Sequence, residues 1–181
     1  MMRQQAAGGF TIEVRNLQRK HKIDQGLIRE KSKAILAFCG LKDVELSILI
    51  VNNQRIQDLN KKYRGIDKPT DVLSFPMMGT EFNSVLATQP LLLGDVVLSM
   101  EKIQSQAREQ GHSVDCELMM LLTHGILHLV GYDHERSLQE ERRMRKKEGL
   151  ILAKLLSQEI LLRAPILRWK GYSMLQRPRG T

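Results

Sequence analysis

From Leu118 to Val130 the chain reads Leu-Met-Met-Leu-Leu-Thr-His-Gly-Ile-Leu-His-Leu-Val, apolar nearly all round a helical wheel apart from Thr123, Gly125 and two histidines. A helix with apolar residues on every side cannot lie on a surface. This one is therefore predicted to be central to the fold, with its histidine face turned to a cleft. Residues four apart share a helix face about one turn from each other, so His124 and His128 can present ring nitrogens to a common point. Gly131 then follows as a residue able to take the left-handed conformation that closes a helix, and the chain can turn back to deliver His134.

Three imidazoles in eleven residues, out of five histidines in the chain, form a plausible ligand set for one divalent metal. Three His ligands leave one tetrahedral position open, which marks a catalytic rather than a structural zinc. The spacing is that of the zinc-protease signature His-Glu-x-x-His-x-x-Gly-x-x-His, whose glutamate serves as general base. Here that position is Gly125, so a metalloprotease lacks its proton acceptor. A metal can still bring the pKa of water down to about 7 and stabilise a developing anion. Phosphodiester cleavage suits such a site better, because charge neutralisation and positioning carry much of its barrier.

The rest of the chain alternates between two periods. Phe10, Ile12 and Val14 repeat every second residue, and Val44 to Val51 is a stronger strand. Between them a helix can start at Asp24, bury Ile28, Ile35 and Leu36, and stop at Gly40. Asn52 or Asn53 can cap a second helix running through Ile56, Leu59 and Tyr63 to Gly65, after which Pro69 forces an extended or turned path. Val72 to Phe75 and Asp95 to Ser99 read as strands, with residues 77 to 92 as a loop between them. Helices are expected from about Met100, from Ser113, and from the Ser137-Leu-Gln-Glu140 capping box. This order predicts an α+β fold: a mixed four-stranded sheet packed with about five helices, the histidines on and just after a central one.

At 181 residues and 42% hydrophobic content the chain suits one domain, predicted over residues 1–162. Only 4% of residues are aromatic, so the core must come from Leu, Ile, Val and Met. No stretch approaches twenty uninterrupted apolar residues and the first residues lack the apolar run of a signal peptide, from which a cytoplasmic protein without membrane association is expected. Cys39 and Cys116 form no Cys-x-x-Cys pair and read as small buried residues in a reducing compartment.

The net charge is +8, and residues 142–181 hold eleven Lys or Arg against two Glu, so the basic excess is a C-terminal property. Such a run is either a solvated helix face with a basic extension, here residues 163–181, or a contact for RNA phosphate.

Three blocks carry a family resemblance. They are Thr123-His-Gly-Ile-Leu-His-Leu-Val-Gly-Tyr-Asp-His134, the run from Leu59 through Tyr63-Arg64-Gly-Ile-Asp67-Lys-Pro69-Thr70-Asp71 to Pro76, and Leu93-Gly94-Asp95-Val-Val-Leu-Ser99. In this order they resemble the YbeY family of metal-dependent endoribonucleases, or rRNA maturation factors, over about residues 10 to 155. The resemblance implies a zinc-dependent, single-strand-specific endoribonuclease acting in rRNA maturation, at the 16S rRNA 3′ end, and in ribosome quality control. Its partners would be single-stranded RNA or rRNA and the ribosomal small subunit or its proteins. His124, His128 and His134 would hold one zinc or another divalent metal. Arg64 matches a functionally important arginine of the family; its guanidinium can form two parallel hydrogen bonds to a phosphate, though a solvent-facing arginine in a helix's last turn is the plain alternative.

Thr70 and Asp71 read as turn-holding residues, and Asp95 and Asp133 as either turn residues or partners that orient ligand imidazoles. A non-catalytic, metal-stabilised ribosome-assembly factor is the main competing reading, with a zinc metalloprotease behind it.

Overall fold

The computed structural model describes residues 9–77 and 90–162. Four strands and five helices follow one another as β1 (Thr11–Asn16), α1 (Gln25–Phe38), β2 (Val44–Val51), α2 (Asn53–Arg64), β3 (Val72–Pro76), β4 (Leu91–Ser99), α3 (Met100–Gln110), α4 (Val114–Leu129) and α5 (Leu138–Leu162). The strands form one mixed sheet in the order β1-β2-β4-β3. β1, β2 and β4 run parallel, and β3 pairs antiparallel with β4 at the edge. The α+β architecture inferred from the element order is the one observed.

The expected helix starts hold because each is capped by a side chain. Asp24, Asn52, Ser99 and Ser113 each accept from the backbone N–H three residues on, and Ser137 Oγ accepts from Glu140 N at 3.2 Å. The ends differ in detail. The last residues of α1 fold over Cys39, with Gly40 following at φ 78°, whereas Gly65 and Gly111 close α2 and α3 in the left-handed conformation.

One sheet face carries Ile12, Val14, Leu46, Ile48, Ile50, Val96 and Leu98 into the main core, where Ile28, Ile35 and Leu36 of α1 and Leu122, Ile126 and Leu127 of α4 meet them. α5 adds Met144, Ile151 and Leu155 to the same core. The nearly all-apolar α4 is thus enclosed by the sheet, α1, α3 and α5, as its sequence requires. A smaller cluster of Val51, Ile56, Leu73 and Val97 lies on the other face beneath α2.

Two sequence readings need correction. Tyr63 does not continue the buried stripe of α2: it is 57% exposed, and the buried position is Asn60, whose Nδ2 donates to Lys68 O at 2.8 Å. The loop's carbonyl satisfies the amide nitrogen, while Asn60 Oδ1 is buried without a hydrogen-bond partner among the described residues. β4 begins at Leu91 rather than Asp95, its register shifting by one residue opposite Glu45 and Leu46. Gly94 permits that bulge: it sits at φ 133°, and a Cβ there would fall 2.1 Å from Phe75 O. The remainder of the loop expected before β4, and the basic extension from residue 163, lie outside the described residues.

Candidate metal centre

The site is built where α4 ends. Val130 N donates to Ile126 O at 3.0 Å, Gly131 N to His128 O at 3.1 Å and Tyr132 N to Leu127 O at 3.0 Å, so the chain folds back over the last turn. Gly131 makes this reversal possible at φ 96°, a conformation that costs a residue with a Cβ about 1–2 kcal/mol. His134 is thereby returned to the face that carries His124 and His128. The three ring centroids stand 4.6, 5.2 and 5.1 Å apart, and one nitrogen of each ring lies within 4.8 Å of the other two. All three residues are partly buried, at the rim of the core rather than inside it.

The chemistry of the donor set fits a divalent metal. Two imidazole nitrogens about 2.0–2.1 Å from a tetrahedral zinc are roughly 3.3 Å from each other. His124 Nε2 and His128 Nε2 are 3.0 Å apart. Burial, reinforced by the neighbouring His124 and His134, pushes His128 from the usual 6.5 down to about 4. A neutral imidazole is the form that binds a metal, so His128 is set for ligation at neutral pH.

His124 has a further partner that sequence reasoning missed. Its Nδ1 lies 2.7 Å from Oε1 of Glu148, a residue of α5 that is only 4% exposed. The available signal was a single acid within the apolar stripe of Met144, Ile151 and Leu155.

Arg64 is the last residue of α2, and its half-exposed guanidinium reaches toward the site: Nη2 is 3.7 Å from Oε1 of Glu135, the residue after His134. The loop that follows α2 is held firmly. Lys61 Nζ meets Asp67 Oδ2 at 2.7 Å, Gln57 Nε2 donates to Asp67 Oδ1 at 2.9 Å, and Gln106 Nε2 donates to Asp71 Oδ2 at 2.9 Å. Thr70 Oγ1 and Val72 N both donate to Asp71 Oδ1, so Thr70 and Asp71 hold the turn as their residue types suggest.

The other candidates lie or bond elsewhere, although the Asp133 carboxylate still acts electrostatically on His128. Asp133 closes its own turn, accepting from Glu135 N at 2.9 Å and Arg136 Nε at 3.0 Å. Asp95 points to the opposite sheet face, into a groove of about 480 Å³ that Arg15, Arg55, Tyr63 and Phe75 also line. Cys116 is half-buried, with Sγ 3.9 Å from Met120 Sδ, and Cys39 is half-buried as well. His21 and His112 are paired elsewhere, with Gln104 and Glu117.

Gly125 acquires a packing reason. A Cβ there would lie 2.8 Å from Val96 Cγ1 and 3.2 Å from both Ser74 Oγ and Val72 Cγ2, and Ser74 Oγ already donates to Gly125 O at 3.0 Å. The helix face next to His124 is pressed against β3 and β4, and the protease glutamate has no room.

Comparison with known proteins agrees with this geometry. The family model described as Endoribonuclease YbeY matches residues 13–156. An Endoribonuclease YbeY of Aquifex aeolicus is 47% identical over 137 residues, covering 76% of this chain and 87% of that protein. Its counterpart in Geobacter metallireducens is 42% identical over 143 residues, covering 78% and 93%. The solution structure of a Thermotoga maritima protein superposes with a TM-score of 0.59 at 24% identity, over 92% of this chain and all of that one, a likeness of fold.

Proposed function

The chain belongs to the endoribonuclease YbeY family, and on that premise we propose that it is a zinc-dependent endoribonuclease that cuts single-stranded RNA in the cytoplasm during rRNA maturation. Processing of the 16S rRNA 3′ end and ribosome quality control are the settings, with the ribosomal small subunit or its proteins as partners. The observation that carries the reading is the convergence of three histidine nitrogens within 4.8 Å of one another, beside an arginine tethered to the same loop.

His124, His128 and His134 are assigned as the metal ligands and Arg64 as the catalytic arginine. When bound, the metal supplies positive charge for a developing anion and acidifies water at the site. The protein's own groups do the rest. α4 and the Gly131 turn fix the direction of the three imidazoles. Arg64 binds the scissile phosphate through its fork: its contact with Glu135 spans 3.7 Å between exposed groups, worth at most about 1 kcal/mol, so a phosphate dianion or diester can displace it.

The metalloprotease reading fails on packing, because the position that would carry the base cannot hold a side chain without shifting β3 or β4. Among the described residues no helix is long and apolar enough to cross a membrane. The test is elemental analysis of purified wild type and His128→Ala, combined with cleavage of a labelled single-stranded RNA. One zinc per chain and cleavage are expected of the wild type, and loss of both of the variant; full metal occupancy in a His124→Ala, His128→Ala double variant contradicts the site.

A further inference from the structure

We propose that Glu148 is a positioning residue of the metal centre: from α5 it fixes the tautomer and the ring orientation of His124. The inference rests on the metal site proposed above. Three observations carry it. Glu148 lies on the α5 face that buries Met144, Ile151 and Leu155, yet it is itself 4% exposed, so a carboxylate occupies a position that packing alone would give to a leucine. Its Oε1 is 2.7 Å from His124 Nδ1, a short bond across two helices between residues 24 apart in sequence. α5 is also tied down one residue earlier, where Lys147 Nζ donates to Phe38 O at 2.8 Å, so the carboxylate is presented by a fastened helix.

The consequence follows from donor and acceptor chemistry. A carboxylate accepts hydrogen bonds, so the proton of His124 sits on Nδ1 and the lone pair on Nε2. Nε2 is the nitrogen that faces His128, at 3.0 Å. The opposite tautomer would turn an N–H into the ligand cluster and remove one donor from the site. A buried acid bonded to the far nitrogen also prevents the ring from flipping, as carboxylate partners of metal-bound histidines do. An unpaired carboxylate here would be costly to bury, so the packing of α5 and the orientation of His124 depend on each other.

The test separates positioning from mere packing. Zinc affinity is measured by chelator competition on the full chain for wild type, Glu148→Leu, Glu148→Gln and His128→Ala, with the melting temperature of each metal-free protein alongside. Glu148→Leu fills the buried position with an apolar side chain. The expected result is an unchanged or higher melting temperature with zinc affinity reduced about 10- to 100-fold, the usual effect of removing an outer partner of a ligand. Glu148→Gln keeps the shape and an acceptor oxygen, and an intermediate loss is expected; it also serves if the leucine variant does not fold. In proton NMR of the metal-free wild type, a slowly exchanging His124 Nδ1 proton is expected, absent from Glu148→Leu. Wild-type zinc affinity in both Glu148 variants, with affinity lost in His128→Ala, overturns the role of Glu148 and leaves the metal site standing. Retention of affinity in His128→Ala overturns the site itself.

Discussion

At Gly125 a single missing side chain bears on both fold and chemistry. The position faces β3 and β4, and a Cβ would meet Val96 at 2.8 Å. Gly125→Glu should therefore destabilise the protein by about 3 kcal/mol or more, through overpacking and the burial of a charge, without conferring proteolysis. Thermal melts and a casein assay check both halves. His128 makes a second prediction at this scale. Its value near 4 in the folded protein lies below the ordinary 6.5, so between these two pH values the unfolded chain binds more protons than the folded one. The stabilising contribution is complete above about pH 6.5 and is lost as pH falls through about 4. Urea titrations of the metal-free protein across that window should show stability declining with acidification, and His128→Gln should flatten the decline. A wild-type stability curve without that decline contradicts the burial argument. The three histidines were legible at the residue scale because helix spacing aligns His124 with His128 and Gly131 marks the turn that can return His134. Glu148 was not, because its partnership with His124 exists only once α5 has packed on α4.

The elements divide in the same way. Caps and apolar periodicity mark where helices start, and Asp24, Asn52, Ser99, Ser113 and Ser137 all act locally, within three residues of themselves. Strand β4 was harder to delimit. Its first residues, Leu91 and Leu92, pair with β2 across a register shift that depends on Gly94 approaching Phe75 O, a contact between different strands. Asn60 was hidden for a similar reason: the acceptor of its amide nitrogen, the Lys68 carbonyl, lies eight residues on and reaches it only once the loop has folded. The turn after α4 yields the element-scale prediction. At φ 96° Gly131 is in open space, so Gly131→Ala meets no clash and suffers only backbone strain. A loss of about 1 kcal/mol in stability is expected, with weaker zinc binding because His134 depends on that turn for its direction. Unchanged zinc affinity in Gly131→Ala would show that His134 reaches the site independently of the glycine.

For the whole molecule, the order of elements was enough to give the mixed four-stranded sheet, since the crossover helix α1 suits a parallel β1–β2 pair and the consecutive strands β3 and β4 suit an antiparallel one. Which sheet face holds each acid was not, and Asp95 proved to face away from the histidines. Charge operates at this scale too. We propose that residues 163–181, with five Lys or Arg and no acid, form an RNA-contacting extension of a domain ending near Leu162. Truncation at Leu162 should leave zinc content and melting temperature nearly unchanged while weakening RNA binding and flattening its dependence on salt, as fewer counterions are released. A large fall in melting temperature with the salt slope intact would instead make the segment part of the folded core. We propose that catalysis depends on a metal held by the three histidines acting together with Arg64. The most direct test is the turnover of single-stranded RNA by wild type, Arg64→Lys and Arg64→Ala at equal zinc content. Because the ion pair of Arg64 is exposed, all three should be similarly stable. Turnover should fall about 100-fold or more in Arg64→Ala and remain low in Arg64→Lys, which keeps the charge but loses the fork. Equal turnover in wild type and Arg64→Ala would contradict the account.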